Sequence, residues 1–112
     1  MTVAELESKV RKILLDTIEP YRWDSNFIRE TIADAVAFLQ SIRPETRYVN
    51  GKLFDGDFVP NDDLDPFPIS DRYREGIVAY MAYKCLECEN PDVQNLTLAE
   101  NYLNKAKTLM QI

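Results

Sequence analysis

The chain has 112 residues, of which 46% are hydrophobic and 29% charged, a mixture typical of one globular domain spanning residues 1–112. Its net charge of −6 argues against a nucleic-acid-binding domain and against a membrane-surface helix, because both need a basic face. The chain has no histidine, which removes the usual general base, the histidine-activated nucleophiles and most zinc sites.

The first predicted element is an amphipathic helix over about residues 3–16. Thr2 followed by Glu5 forms a capping-box pattern at its start, and Pro20 stops any continuation. Apolar residues recur at helical spacing on one stripe: Val3, Leu6, Val10, Ile13 and Leu14.

A second helix is predicted after Asp24, a favourable N-cap residue. It ends at Arg43, because the residue before Pro44 avoids the helical conformation. Trp23 before the cap and Ile28 in the first turn form a hydrophobic-staple pattern, which gives both residues a role in shaping the turn between the helices. The apolar face consists of Ile28, Ile32, Ala35, Val36, Leu39 and Ile42.

Two more helices are predicted in the second half, from Ser70 to about Glu89 and from about Val93 to Met110. Asn90-Pro91 separates them, and Gly76 inside the third helix costs about 1 kcal/mol relative to alanine. The apolar face of the third helix is Tyr73, Ile77, Tyr80, Met81, Cys85 and Cys88, and that of the fourth is Ala99, Tyr102, Leu103, Ala106, Leu109 and Met110.

The fold class that follows is all-α. Each of the four helices buries one stripe, so the four need a common core, and a small four-helix bundle is the simplest arrangement. Besides Trp23 and Ile28, we expect Tyr73, Tyr80 and Tyr102 to have structural roles in this core.

The long connection between the second and third helices, residues 44–69, has no helical period. Asn50-Gly51, between two short apolar runs, predicts a β-hairpin inside it. A lone hairpin is marginal in water, so its apolar side chains must pack either on their own helices or on another chain. Both alternatives stand, and the candidates for intermolecular contact are Tyr48, Phe54, Phe58, Val59, Leu64 and Phe67.

The same connection is strongly acidic, yet it does not predict a metal site. Asn61, Asp63 and Asp65 alternate as the first ligands of a calcium loop would, but Pro66 stands where the loop needs glycine and Arg72 where it needs glutamate. We therefore expect a solvated acidic loop. Its carboxylates are Asp55, Asp57, Asp62, Asp63 and Asp65.

Cys85 and Cys88 form a C-x-x-C pattern late in the third helix. A redox role needs the first cysteine near a helix N-terminus, and a zinc role needs two further ligands that the chain does not supply. With no secretory signal at the N-terminus, we expect both to be free thiols in a reducing compartment, packed in the core. The sequence also lacks phosphate-cradling and nucleophile-elbow motifs, so no enzyme activity, cofactor or catalytic residue is predicted.

Several short sequence segments nevertheless occur in a characteristic order along the chain. Thr2-Val3-Ala4-Glu5-Leu6 opens a helix that ends Leu14-Leu15-Asp16-Thr17, and Arg22-Trp23-Asp24 precedes the second helix. That helix ends Ile42-Arg43-Pro44-Glu45, and Pro68-Ile69-Ser70-Asp71-Arg72-Tyr73 leads into a helix carrying Tyr80-x-x-Tyr83. In this order, over nearly the whole chain, the sequence resembles the head–tail adaptor (head completion, or connector) proteins of tailed bacteriophages.

The resemblance implies a structural role in the virion without chemistry. Such proteins form a ring, usually of twelve copies, on the portal at one capsid vertex, after assembly in the host cytoplasm. The ring extends the DNA channel, lets the genome pass without sequence-specific binding, and offers a docking surface to the tail or nozzle protein. The expected partners are therefore the portal protein, the tail and further copies of the chain. The middle connection is longer and more acidic than is usual in this family, and we expect no long C-terminal arm of the kind that some adaptors use to embrace the portal.

Two other functions remain open from the sequence. The net charge of −6 would suit a small acidic regulatory protein, such as a DNA mimic that occupies a basic groove on a host protein. Against this, residues 1–52 hold eight basic and eight acidic side chains, so the whole excess lies in the second half. A thiol oxidoreductase built on Cys85 and Cys88 is the third hypothesis, and alkylation of the native protein would test it.

Overall fold

The computed structural model describes residues 2–14, 23–49, 52–53, 69–87 and 93–111, with the backbone alone for 49, 52–53 and 93–96. These parts of the chain are mostly helical, as predicted. The helices are α1 (Val3–Ile13), α2 (Ser25–Ile42), α3 (Arg74–Glu87) and α4 (Val93–Gln111). Short 3-10 turns at Pro44–Arg47 and Asp71–Tyr73 follow α2 and precede α3.

The N-termini of α1 and α2 are capped where the sequence predicts. The Glu5 amide donates a hydrogen bond to Thr2 Oγ1 at 3.2 Å, and the Asn26 amide donates to an Asp24 carboxylate oxygen, also at 3.2 Å. Each side chain satisfies an amide that the first turn of a helix leaves without a backbone partner. The C-terminus of α2 also falls as predicted, with Arg43 as the capping residue before Pro44.

The prediction for α1 is too long, and Pro20 lies outside the described residues. The last helical residue is Ile13, after which the Leu14 amide still donates to the Val10 carbonyl at 3.0 Å. Leu14 is buried, so the apolar stripe outlasts the helical backbone by one residue.

Helix α3 differs from the prediction in being buried on nearly all sides. It packs against α1, α2 and α4, most extensively against α4. A helix that contacts three neighbours needs apolar residues around its whole circumference, so the expected single stripe was wrong for this element. Its buried residues are Gly76, Ile77, Val78, Ala79, Tyr80, Met81, Ala82, Cys85 and Leu86.

Gly76 lies where α3 meets the last turn of α4. A Cβ atom built on Gly76 would stand 3.0 Å from Met110 Cγ, 3.5 Å from Leu109 Cβ and 3.6 Å from the Met110 amide nitrogen. The contact brings the N-terminal part of α3 to the C-terminal end of α4, so the two helices run antiparallel. The glycine that the sequence marks only as a cost to helix formation thus permits a close approach between helices.

Two short strands follow the first 3-10 turn. Strand β1 (Tyr48–Val49) pairs antiparallel with β2 (Lys52–Leu53), with Tyr48 opposite Leu53 and Val49 opposite Lys52. The predicted turn at Asn50-Gly51 and the remainder of the connection, residues 54–68, lie outside the described residues, so the hairpin as a whole stays a prediction. Among the helices within the described ranges, none is both long and apolar enough to span a lipid bilayer.

Candidate interaction surface

Arg43 joins the end of α2 to the end of α4. Its Nε donates to the Met110 carbonyl at 2.9 Å, and its Nη2 donates to the Gln111 carbonyl. A helix C-terminus carries carbonyls without intrahelical partners and a partial negative charge, so a guanidinium there gains both hydrogen bonds and electrostatic attraction. The Thr46 amide and hydroxyl donate to the Arg43 carbonyl at 3.0 and 2.7 Å, which fixes the start of the following turn.

Three residues near this contact between Arg43 and the end of α4 form the first candidate contact surface, which we call the basic corner: Arg47, Tyr48 and Lys107. Arg47 and Tyr48 directly follow the turn that Arg43 anchors, and Lys107 lies one helical turn before Gln111, so all three belong to the same end of the molecule. Each is exposed, and Tyr48 is 65% exposed, which is unusual for a large aromatic side chain. An exposed tyrosine beside an arginine is a composition typical of interfaces.

The second candidate surface is a row along α2, which we call the α2 row: Glu30, Asp34 and Phe38. Residues four apart on a helix lie one above another, so these three side chains share one face. Glu30 and Asp34 are exposed and Phe38 is half-buried. The row therefore joins two carboxylates to an aromatic ring.

Aromatic side chains of α3 extend the α2 row. The Phe38 ring stacks on Tyr80 with 4.5 Å between centroids and 22° between planes, and Tyr80 meets Tyr83 edge-on at 5.4 Å. Lys84 Nζ lies 5.9 Å from the Tyr80 centroid and 5.8 Å from that of Tyr83, within the range of cation–π attraction. Such aromatic pairs contribute about 0.5–1.5 kcal/mol beyond the area they bury.

The tyrosines of this region are neutral at physiological pH. Burial raises the pKa of Tyr80, and the positive charge of Lys84 opposes this shift only in part. Burial likewise raises the pKa of Tyr83 and of Tyr102. The cluster therefore presents hydroxyls and ring faces, while the carboxylates of Glu30 and Asp34 supply negative charge.

The polar side of α1 is held to its neighbours by ion pairs. Glu7 Oε1 lies 3.3 Å from Arg29 Nε on α2, and Glu7 Oε2 lies 3.9 Å from Arg11 Nε. Arg11, itself buried, donates from Nη2 to Ser25 Oγ at 3.3 Å, and Glu5 Oε1 lies 3.1 Å from Arg74 Nη1 on α3. Because each partner is already engaged, this side of the molecule is built for internal contact.

Trp23 lies in the core, 5% exposed, and its Nε1 donates to the Cys85 carbonyl at 3.1 Å. This bond links the entry to α2 with α3, across 62 residues of sequence. Cys85 is buried, whereas Cys88 lies outside the described residues, so the relation of the two thiols stays a prediction.

The other residues singled out by the sequence are placed as follows. Ile28, Tyr73 and Tyr80 are buried and Tyr102 is half-buried. Of the predicted contact residues, Tyr48 is described and exposed. Phe54, Phe58, Val59, Leu64 and Phe67 lie outside the described residues, as do the aspartates of the acidic connection. In the part of the chain that the structure describes, no three histidine, cysteine or carboxylate side chains come together as a metal site would require.

Two features of the surface escape sequence reasoning. Arg43 is visible in the sequence only as the residue before Pro44, because the carbonyls that it binds are 67 and 68 residues away. Phe38 falls beside the apolar stripe of α2, so helical periodicity leaves it out of the core face. Its spacing of four residues from Asp34 is the signal that could have placed it on an exposed row.

Comparison with known proteins gives no match: neither a protein-family model, nor a curated protein, nor a solved structure is similar to this chain.

Proposed function

We propose that this protein is a head–tail adaptor of a tailed bacteriophage, a virion subunit that forms a ring on the portal. The observation that carries the proposal is the ordered set of segments from Arg22-Trp23-Asp24 through Arg43-Pro44 to Tyr80-x-x-Tyr83. In this role the ring, usually of twelve copies, extends the DNA channel and offers the tail or nozzle protein a docking surface. The protein performs no reaction, needs no cofactor and assembles in the host cytoplasm.

The residues that distinguish this sequence have mechanical roles compatible with such a spacer. Trp23 connects the entry of α2 to α3, and Arg43 connects its end to α4. Both ends of α2 are thus fixed by hydrogen bonds to other helices. A subunit that transmits contacts around a ring needs this rigidity, because a ring closes only when the rotation between copies is constant.

Tyr48 supports the proposed intermolecular role of the middle connection. Tyr48 is 65% exposed, yet its backbone follows directly on the turn that Arg43 and Thr46 anchor. Fixing the backbone before binding lowers the entropy lost when an exposed aromatic side chain is immobilised at an interface.

The charge distribution favours the adaptor over the DNA mimic. The described residues include 12 basic and 10 acidic side chains, so the parts of the chain that form the helices and strands are not acidic overall. The carboxylates of Glu5, Glu7 and Glu75 lie in ion pairs with arginine or lysine. A mimic of the phosphate backbone needs a long row of unpaired carboxylates, and these three paired side chains do not supply one.

The adaptor proposal is tested by mixing the purified chain with the portal ring of the same phage and imaging the mixture by electron microscopy. We expect added ring-shaped density at the narrow end of the portal. No added density over a wide range of concentrations would refute the proposal. A pull-down from host extract that returned a nucleic-acid-binding enzyme, released by DNA, would support the mimic instead.

A matched pair of variants adds a residue-level control. Tyr48→Ser and Leu98→Ser each remove a large exposed apolar side chain, of 65% and 42% exposure respectively. We expect Tyr48→Ser to weaken ring formation on the portal and Leu98→Ser to leave it unchanged, because Leu98 lies on α4 away from the basic corner. Equal behaviour of the two variants would remove Tyr48 from the interface.

A further inference from the structure

Among the described residues, the exposed charges of the two candidate surfaces form no ion pair within their own subunit. Among the described residues, neither Glu30 nor Asp34 of the α2 row forms an ion pair, and neither Arg47 nor Lys107 of the basic corner does so. By contrast, Arg29, which neighbours Glu30 in sequence, is paired with Glu7. Lys84 interacts electrostatically with Asp34, but its Nζ also lies 3.5 Å from the Glu87 carboxylate. The described charges therefore leave the α2 row net negative and the basic corner net positive.

The two surfaces also match in their aromatic content. The basic corner carries the exposed Tyr48 ring. The α2 row ends at half-buried Phe38, whose ring is continuous with those of Tyr80 and Tyr83. Tyrosine and arginine are among the side chains enriched where interfaces gain most of their binding energy, and aromatic rings pair well with one another.

We propose that the basic corner of one copy docks on the α2 row of a second copy of this chain. Arg47 and Lys107 then face Glu30 and Asp34, and the Tyr48 ring packs against Phe38 and Tyr83. The two surfaces are different, so the contact is head-to-tail, and repeating it with a fixed rotation generates a ring. This inference rests on the proposed ring function and assigns its subunit contact to particular residues.

We identify the partner as a second copy because the two surfaces of this one chain have opposite charges and both carry aromatic rings. Opposite charges guide the approach and fix the register, while the aromatic contact supplies the apolar area. Self-association should therefore weaken with salt, since exposed pairs are screened at high ionic strength.

A charge-reversal experiment tests the contact. One variant carries Arg47→Glu and Lys107→Glu, and the other carries Glu30→Lys and Asp34→Lys. All four side chains are exposed and lie outside the ion pairs that the described parts of the chain form, so both variants should fold, which circular dichroism checks. Self-association is measured by sedimentation velocity at low and high salt, both for the free chain and for the chain on the portal ring.

We expect each variant alone to associate about tenfold or more weakly than the original chain, because like charges then face each other. Mixing the two variants should restore association, since every contact in an alternating ring again joins opposite charges. A mixture that associates no better than its components would overturn the proposal, and so would an original chain that stays monomeric both free and on the portal.

The outcome is separable from that of the adaptor proposal. Rescue by mixing in the free chains, without any portal binding, supports the contact and counts against the adaptor function. Portal binding that both variants retain at full strength supports the adaptor function and refutes this contact.

Discussion

The close approach of Gly76 to Met110 makes a prediction whose sign depends on the neighbouring residue. Replacing Gly76 by alanine in an isolated helix would stabilise it by about 1 kcal/mol, because alanine loses less backbone entropy on folding. In this protein the new methyl group would lie 3.0 Å from Met110 Cγ, closer than two carbon atoms approach at their optimal separation. The two effects oppose each other.

The packing effect should be the larger one. Inserting a carbon into a filled core costs about 1–3 kcal/mol, and here the Met110 amide nitrogen, 3.6 Å away, limits how far the helices can shift. We therefore expect Gly76→Ala to lower the free energy of unfolding by roughly 1 kcal/mol. Met110→Ala removes Cγ at a cost of about 2–5 kcal/mol, because a fully buried side chain is truncated. In that background Gly76→Ala should instead stabilise by up to about 1 kcal/mol.

The assay is urea unfolding of the original chain, the two single variants and the double variant, followed by far-ultraviolet circular dichroism and by the fluorescence of the single tryptophan, Trp23. The double-mutant cycle should give a coupling of about 1–2 kcal/mol. Leu98→Ala, an exposed change on the same helix, is the control and should add to Gly76→Ala without coupling. If Gly76→Ala changed stability by the same amount and sign in both the original and the Met110→Ala backgrounds, the close contact would not be the cause.

Three further predictions concern other parts of the fold. Arg43→Met should destabilise the protein by about 1.5–3 kcal/mol, because the charged hydrogen bonds to the Met110 and Gln111 carbonyls are lost. It should also speed amide hydrogen exchange in the last turn of α4, and unchanged exchange there would contradict the contact between Arg43 and α4. Trp23→Phe should cost about 1 kcal/mol because the Cys85 carbonyl loses its donor, which a lower urea midpoint by circular dichroism would show and an unchanged midpoint would contradict. Burial raises the pKa of Tyr80 above its ordinary value of 10.0, so deprotonation favours the unfolded chain: the stabilisation is complete below about pH 10 and is lost as the pH rises through the folded-state pKa. Unfolding titrations in alkaline buffers should therefore show a smaller loss of stability for Tyr80→Phe than for the original chain, and equal slopes would argue against a buried hydroxyl.

Local signals in the sequence predict the helices well. Thr2 and Asp24 cap α1 and α2 because capping is decided by a few neighbouring residues, and Pro44 ends α2 for the same reason. The extra length assigned to α1 came from extending an apolar stripe that continues to buried Leu14 beyond the last helical residue.

Contacts distant in sequence were not predictable in the same way. Periodicity assigns one buried face to a helix, so it missed that α3 is buried on nearly every side. Which helix neighbours Gly76, and which carbonyls receive Arg43, depend on how α4 returns along α3. For the candidate surface, the sequence identified exposed Tyr48, but it did not connect Glu30, Asp34 and Phe38 into a row.

The central place of α3 has a consequence for synthesis of the protein on the ribosome. Helices α1 and α2 contact each other less than either contacts α3, so most of their apolar surface becomes covered only after Glu87 has left the exit tunnel. A nascent chain that ends earlier exposes the apolar faces of both α1 and α2, which favours aggregation or binding by chaperones. Arrested chains ending before α3 should thus be protease-sensitive, and resistance should first rise when α3 emerges.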